Sequence, residues 1–428
     1  MAETDQSPKK GPLSGLRVLE LGHFIAAPFC TRILGDLGAE IIKVENPGKG
    51  DPVRSWGKMV DGKSLWWSVH GRNKKSVTLN MKNKKGLDVA KRLIANCDAV
   101  VENFRPGQLD RWGLGTDVIA GINPDCVLVH ISGYGQTGPD RDRAAFGVIG
   151  EAIGGIRHLT GFPEGTTPLP PARTGVSLGD MVAGLYAAIG LLSAIHARRP
   201  DRDAKAPSVD VALTESVFSL LEGALPEYGK LGDIRQPTGA TLPTNAPSNA
   251  YLTMDKRWIV IAANSDALFQ RLMVLIERDD LASDPRLSDN PGRVTHAEEL
   301  DAAISGWTQN LKAGSAARIL AQADIPSTLI YTIEDCANDA HFKARDMICA
   351  VADPNFGQVL HPGIVPKISG SEPGGISWPG PDVGAHTDHI LGDLLGMSAT
   401  DIQALRAEQL LHLLKLEHLF RLLLFHLQ

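Results

Sequence analysis

The chain has 428 residues, of which 43% are apolar and 21% charged, with 43 basic side chains against 49 acidic ones and a formal charge of -6. That length exceeds what one hydrophobic core usually serves, so two domains are expected, and the balanced composition argues against disorder or residence in a membrane. A slightly acidic chain lacks the basic field that nucleic acid requires, and its five cysteines are scattered without a CxxC pair, so no disulfide framework or metal site is expected and a reducing cytoplasm fits.

Met1 to Lys10 is a short polar arm with no apolar stretch of signal-peptide type before Leu16. Leu16 to Leu21 reads as a buried strand, Ala27 to Leu37 as a helix and Ala39 to Val44 as a second strand. Gly86 to Asn96 has helical spacing, and Ala99 to Glu102 and Cys126 to Ser132 are further apolar strands. This strand-helix alternation predicts an α/β fold, a parallel sheet with helices on both faces. Small molecules bind such sheets at the carboxyl ends of the strands, where polar loops begin here at Gly22-His23, Glu45 to Gly48, Asn103 to Gly107 and Gly133 to Gly138. Met181 to Ala197 is an uncharged apolar helix, expected to be buried on nearly every side. Val209 to Leu213 and Glu215 to Leu225 continue the pattern, and Tyr228 to Asn249, rich in Gly, Pro and Thr, reads as a linker. A strand pair opens a second domain at Ala250, and the Pro- and Gly-rich run from Asp353 to Gly384 leads back toward the first. The leucine-rich end, Leu410 to Gln428, suits a helix on the protein's own core, on a partner or on a membrane surface; charge interrupts it too often for a span.

Asp180 is the one carboxylate at the start of the long apolar helix, after a Gly-containing loop. Two roles are open to it there. Asp is a favoured N-cap. A carboxylate near a helix's positive end is also a competent nucleophile toward an activated acyl group.

The ordered blocks Leu13 to Leu21 with Ala27-Pro28, Leu34 to Glu45 with Gly50-Asp51, Arg72 to Ser76, Asp98 to Gly107 (DAVVENFRPG), Ser132 to Pro139 (SGYGQTGP), Gly154-Gly155 and Gly179-Asp180 with Gly184 to Tyr186 resemble the class III CoA-transferases. The likeness runs from Gly15 to about Ala407. It implies that Asp180 is the nucleophile, acylated by a donor acyl-CoA and then carrying CoA as a thioester to an acceptor acid. CoA and acyl-CoA are then substrates, with no permanent cofactor. The chemistry demands water exclusion and stabilised oxyanions, for which the loop holding Tyr134 and Gln136 offers donors or is an ordinary turn. The resemblance assigns CoA contact to Arg72, Asn73, Lys74 and Lys75, to Asn103, Phe104 and Arg105, and to Arg111. It also implies a Rossmann-like sheet in a large discontinuous domain (residues 1–225 with 346–428), a small α+β domain (226–345) and an interlocked homodimer, with no nucleic-acid or membrane partner.

The chain departs from the formyl-CoA transferases of the family at two places. Ile25, in His23-Phe24-Ile25, stands where they carry glutamine, and Pro243 to Ala250 stands where a tetraglycine loop is expected. A different pair follows: succinyl-CoA as donor and a small carboxylic or dicarboxylic acid as acceptor, whose far carboxylate calls for a cation such as His23 or Arg173. The related α-methylacyl-CoA racemases use a histidine where Phe146 stands, which disfavours racemisation. A non-catalytic CoA-binding homologue is the remaining alternative, and hydrolysis is an expected side reaction wherever water reaches the thioester.

Overall fold

The computed structural model describes residues 8–197 and 208–411. The chain divides into two compact units. One comprises residues 1–156, 174–223 and 345–428, the other 157–173 and 224–344. Residues 157–173 thus cluster with the second unit, although the sequence reading gave them to the first domain.

The first unit is built on six strands: β1 (Arg17–Glu20), β2 (Glu40–Glu45), β3 (Lys74–Thr78), β4 (Ala99–Glu102), β5 (Val127–Ser132) and β6 (Val209–Ala212). They pair in the order β3-β2-β1-β4-β5-β6, every pair parallel. The order in which successive strands are added reverses between β1 and β4, which opens a crevice beyond their carboxyl ends where such sheets take ligands.

Both faces are covered, which is why the strands read as continuous apolar runs. Leu19, Ile42, Val100 and Leu128 face one side and meet Val89 and Leu93 of helix α1 (Lys84–Ile94) with Ile390 and Leu391 of the returning segment. Their alternates Val18, Ile41, Val101 and Val129 face the other side and meet Ala26 to Leu34 together with Ala183, Ala187 and Leu191 of helix α2 (Leu178–His196). Truncating Leu191 to alanine would cost about 2–5 kcal/mol.

Helix α2 departs from its expected burial. It is long and apolar enough to cross a membrane by length and composition alone, yet only one side packs in this core, and Leu185, Tyr186 and Ile189 are exposed.

The returning segment covers the edge strand β3. His386 N donates to Ser76 O, and Ser76 N to His386 Nδ1 at 3.2 Å. Pairing the edge in this way removes a template for aggregation. Of the leucine-rich end, Leu410 and Leu411 are buried; the rest lies outside the described residues.

The second unit packs a three-stranded antiparallel sheet, with Ser248–Leu252 and Ser327–Leu329 flanking Trp258–Ala262, against helices Asp266–Leu275, Ala297–Thr308 and Ala313–Gln322. Tyr251, Ile259, Ile261, Phe269, Leu272, Leu300, Ile304 and Leu320 form its core.

Candidate active site

The loop after β1 is held from three sides. Asn103 Oδ1 accepts from His23 N and its Nδ2 donates to His23 O, both at 2.8 Å, which ties the ends of β1 and β4 together. A β-carbon on Gly22 would lie 2.4 Å from that of Ala27 and 2.7 Å from Asn103 Oδ1, so only glycine lets this loop close. Phe24 has φ +64, and its N donates to Asp51 Oδ1 at 3.3 Å.

Beneath the loop lies a buried ion network. Lys43 Nζ is 2.6 Å from Glu20 Oε1 and 2.8 Å from Asp51 Oδ2, and donates to Gly22 O at 2.9 Å. Lys74 Nζ is 2.8 Å from Glu20 Oε2. Burial works against the charge on Glu20, but Lys43 and Lys74 outweigh it and its pKa is lowered. Burial dominates at Lys74, whose pKa falls to about 8. His23 is also lowered, by burial first and then by Lys43, so it is neutral at neutral pH and no fixed cation.

Asp180 lies in the first turn of α2, whose N-cap is Ser177, so it is not the cap. Its carboxylate rests on the backbone at the start of helix Gly147–Ile153: a β-carbon on Gly147 would be 2.0 Å from Asp180 Oδ2. A β-carbon on Gly179 would meet Gly147 O at 2.6 Å. The two glycines let the helix starts press together beneath the carboxylate.

Asp180 lines a cavity of about 240 Å³ with Phe24, Asn103 to Pro106, Ser132, Gly133, Arg143 to Phe146, Ile149 and Leu213. A larger cavity of about 460 Å³ occupies the crevice at the strand ends, lined by Leu21, His23, Val44 to Asn46, Leu79 to Lys82, Phe104, Arg105, Gln108 and Trp112. Phe104 and Arg105 border both cavities. Glu102 steadies this partition, accepting from Phe104 N at 2.6 Å and pairing with His130 Nδ1 at 2.5 Å. The Phe104 ring stands edge-on to His23 at 5.3 Å and to Trp112 at 5.0 Å.

Several expected residues are placed elsewhere. Arg72, Asn73, Lys74 and Lys75 are buried rather than on a solvated loop. Arg72 pairs with Asp36 through two bonds of 2.9 and 2.6 Å, and Asn73 Nδ2 donates to Asp36 Oδ1 and Gly375 O. Lys75 pairs with Glu40 at 2.7 Å. Buried charges must be paired, and these pairings consume the donors a phosphate would need. Ile25 packs with Val53 and Trp67 instead of lining a cavity.

Tyr134 and Gln136 do not line the Asp180 cavity, because their loop folds back: Gly135 N donates to Ser132 Oγ and Gln136 N to Asp210 Oδ2 at 2.9 Å. Arg111 is exposed and bonds Gln108 at 2.8 Å. Arg173 belongs to the second unit. The cations that do line the Asp180 cavity, Arg105 and Arg143, include one the sequence reading passed over. Arg143 lies 5.1 Å from the Tyr134 ring centroid and 2.8 Å from Asp140 Oδ2. Lys82, Trp112 and Gly147 were also missed; a polar loop after a strand flags the first, and nothing local flags the last.

Ser68, Asp353 and His361 form a superficially catalytic cluster. Asp353 and His361 Nε2 both bond the serine hydroxyl, at 2.6 and 3.0 Å, so the carboxylate does not orient the imidazole and the group is a buried fastening.

The profile of CoA-transferase family III matches residues 13–387. Succinyl-CoA--D-citramalate CoA-transferase of Chloroflexus aurantiacus is 45% identical over 409 residues, covering 95% of this chain and 100% of that protein. The beta subunit of succinyl-CoA--L-malate CoA-transferase from the same organism is 38% identical, covering 94% and 98%. A solved CAIB/BAIF family protein from Brucella suis superposes with a TM-score of 0.79 at 31% identity, over 90% of this chain and 100% of that one. The chain belongs to CoA-transferase family III and is a CoA-transferase.

Proposed function

We propose that the protein moves CoA from succinyl-CoA to a small dicarboxylic acid through a thioester on Asp180. The observation that carries this reading is the Asp180 carboxylate, seated on Gly147 in a cavity that shares the Phe104-Arg105 wall with the larger crevice. The larger cavity suits the nucleotide end of CoA: Phe104, Trp112 and Met81 offer apolar and aromatic surface, and Lys82 and Arg105 offer cations for phosphate, with Arg111 outside. The smaller cavity suits the acyl end.

In the proposed sequence an Asp180 oxygen attacks the donor thioester carbon, the C–S bond breaks and CoA leaves as thiolate. The thiolate attacks the aspartyl carbon of the resulting anhydride and expels the donor carboxylate. An oxygen of the acceptor carboxylate attacks the aspartyl thioester, again releasing thiolate, which takes the acceptor acyl group and frees Asp180. Each step exchanges one acyl bond for another, with no net proton or electron and no need of a resident cofactor. The positive end of α2 favours the carboxylate that leaves and returns.

Two Chloroflexus relatives are named for succinyl-CoA and dicarboxylate hydroxy acids, which supports that substrate class. Arg143 is the cation we assign to the acceptor's far carboxylate, in place of His23 or Arg173. The exposed apolar face of α2 at Leu185, Tyr186 and Ile189 supports a homodimer. None of the five cysteines is in a disulfide, which fits a reducing cytoplasm.

The test is trapping with hydroxylamine during incubation with succinyl-CoA. A hydroxamate on Asp180 in the tryptic fragment from Thr174 to Arg198, absent without acyl-CoA and in Asp180→Ala, is the expected result. An unmodified fragment from enzyme that still transfers CoA would sink the covalent reading.

A further inference from the structure

An aspartyl thioester lasts only if water is kept from it. We infer that Phe24 and Phe146 form an aromatic closure over the Asp180 cavity that excludes water from the thioester. This rests on the covalent reading above.

Both rings line the cavity that contains Asp180. They meet edge to face, with centroids 6.0 Å apart and planes at 78°. Phe24 holds a left-handed backbone, φ +64, which bulky side chains rarely adopt. Surrounding structure enforces it: its N donates to Asp51 Oδ1, itself beside the buried Lys43, and its ring leans on Trp56 at 5.2 Å. Such enforced conformations cluster where position matters to function.

Phe146 immediately precedes Gly147, on which the Asp180 carboxylate rests, so its ring is tethered one residue from that seat. It is nevertheless 65% exposed. A large apolar ring left in water while lining a cavity gains burial when a thioester and its pantetheine arm fill the space beside it. The closure is therefore completed by the substrate. An apolar wall at this point also lowers the local dielectric and strengthens every interaction with the developing oxyanion.

The reaction being suppressed is hydrolysis. A water oxygen bonds to the aspartyl carbonyl carbon, the C–S bond breaks, CoA leaves with the electron pair and takes up one of the water's protons, the other passes to solvent, and the Asp180 carboxylate is restored.

The experiment compares two rates in one preparation: exchange of labelled succinate into succinyl-CoA, which reports transfer, and release of free CoA without added acid, which reports hydrolysis. Phe146→Ala should raise the hydrolysis-to-exchange ratio about tenfold or more, and Phe146→Leu should keep it within about threefold of the wild type. An unchanged ratio in Phe146→Ala, with Asp180 still trapped by hydroxylamine, would overturn the closure alone. So would a change confined to subunit association. Loss of the Asp180 adduct in Phe146→Ala would show a role in forming the intermediate rather than shielding it. Absence of any adduct in the wild type would remove the covalent reading and this inference together.

Discussion

The Asp180 carboxylate and the Gly147 α-carbon are in contact, so close that one added methyl group would stand 2.0 Å from Oδ2. Gly147 lacks a positive φ, and its backbone accepts alanine. The collision falls first on the carboxylate, with Asp180 N next at 3.0 Å. Gly147→Ala should lower kcat for succinate exchange about 100-fold or more, as displacements near 1 Å at a reacting group do. Its melting temperature should stay near that of the wild type. Unimpaired exchange would mean that the carboxylate works from another position.

Arg143 is the assigned reader of the acceptor's far carboxylate. Arg143→Gln should raise KM for a dicarboxylate such as glutarate about tenfold and leave that for a monocarboxylate such as butyrate nearly unchanged, a split that initial-rate kinetics with succinyl-CoA would resolve. Equal effects on both acids would assign the arginine to loop structure through Asp140.

Arg72 separates two readings of the same basic run. Buried against Asp36, it fastens β3 and the returning segment to the first helix of the sheet. Arg72→Met leaves that carboxylate buried without its partner and should cost about 3–5 kcal/mol. In protein that remains folded, KM for succinyl-CoA should hardly move. A large rise in KM without loss of stability would restore the phosphate-binding role.

Acid sensitivity follows from three histidines. Burial, with cations nearby, lowers the pKa of His70 from 6.5 to about 3 and those of His361 and His386 to about 4. Between pH 6.5 and 4 the unfolded chain binds protons that the folded chain refuses, so stability falls as pH drops through that window. Melting temperatures at pH 7, 6 and 5 should decline progressively. His386→Asn should flatten the slope; an unchanged slope would assign acid sensitivity to other groups.

The exposed side of α2 provides a test of assembly. Ile189→Lys puts a charge on the apolar face while the buried side with Ala183, Ala187 and Leu191 is untouched. Light scattering should show a dimer for the unsubstituted protein and a monomer for the variant. A dimer that survives the substitution would move the interface elsewhere.

The strands were legible because a two-sided parallel sheet demands apolar residues on both faces, a local property that most positions of Leu16 to Leu21, Ala99 to Glu102 and Cys126 to Ser132 display. The position of Asp180 in the first turn of α2 was legible too, as the lone carboxylate opening an uncharged helix. The burial of Arg72 to Lys75 was not legible, for the opposite reason. A run of cations looks the same on a loop and in a core, and only Asp36, Glu20 and Glu40, brought from distant positions, decide that it is buried. Tyr134 and Gln136 likewise turn on Asp210, more than seventy residues further along the chain. The seat that Gly147 makes for Asp180, the strained Phe24 that meets Phe146 and the wall shared by two cavities are all distances between parts far apart in the chain. Local spacing constrains backbone conformation and which face is apolar; which polar group meets which charge is settled when the elements pack and each buried charge finds a partner.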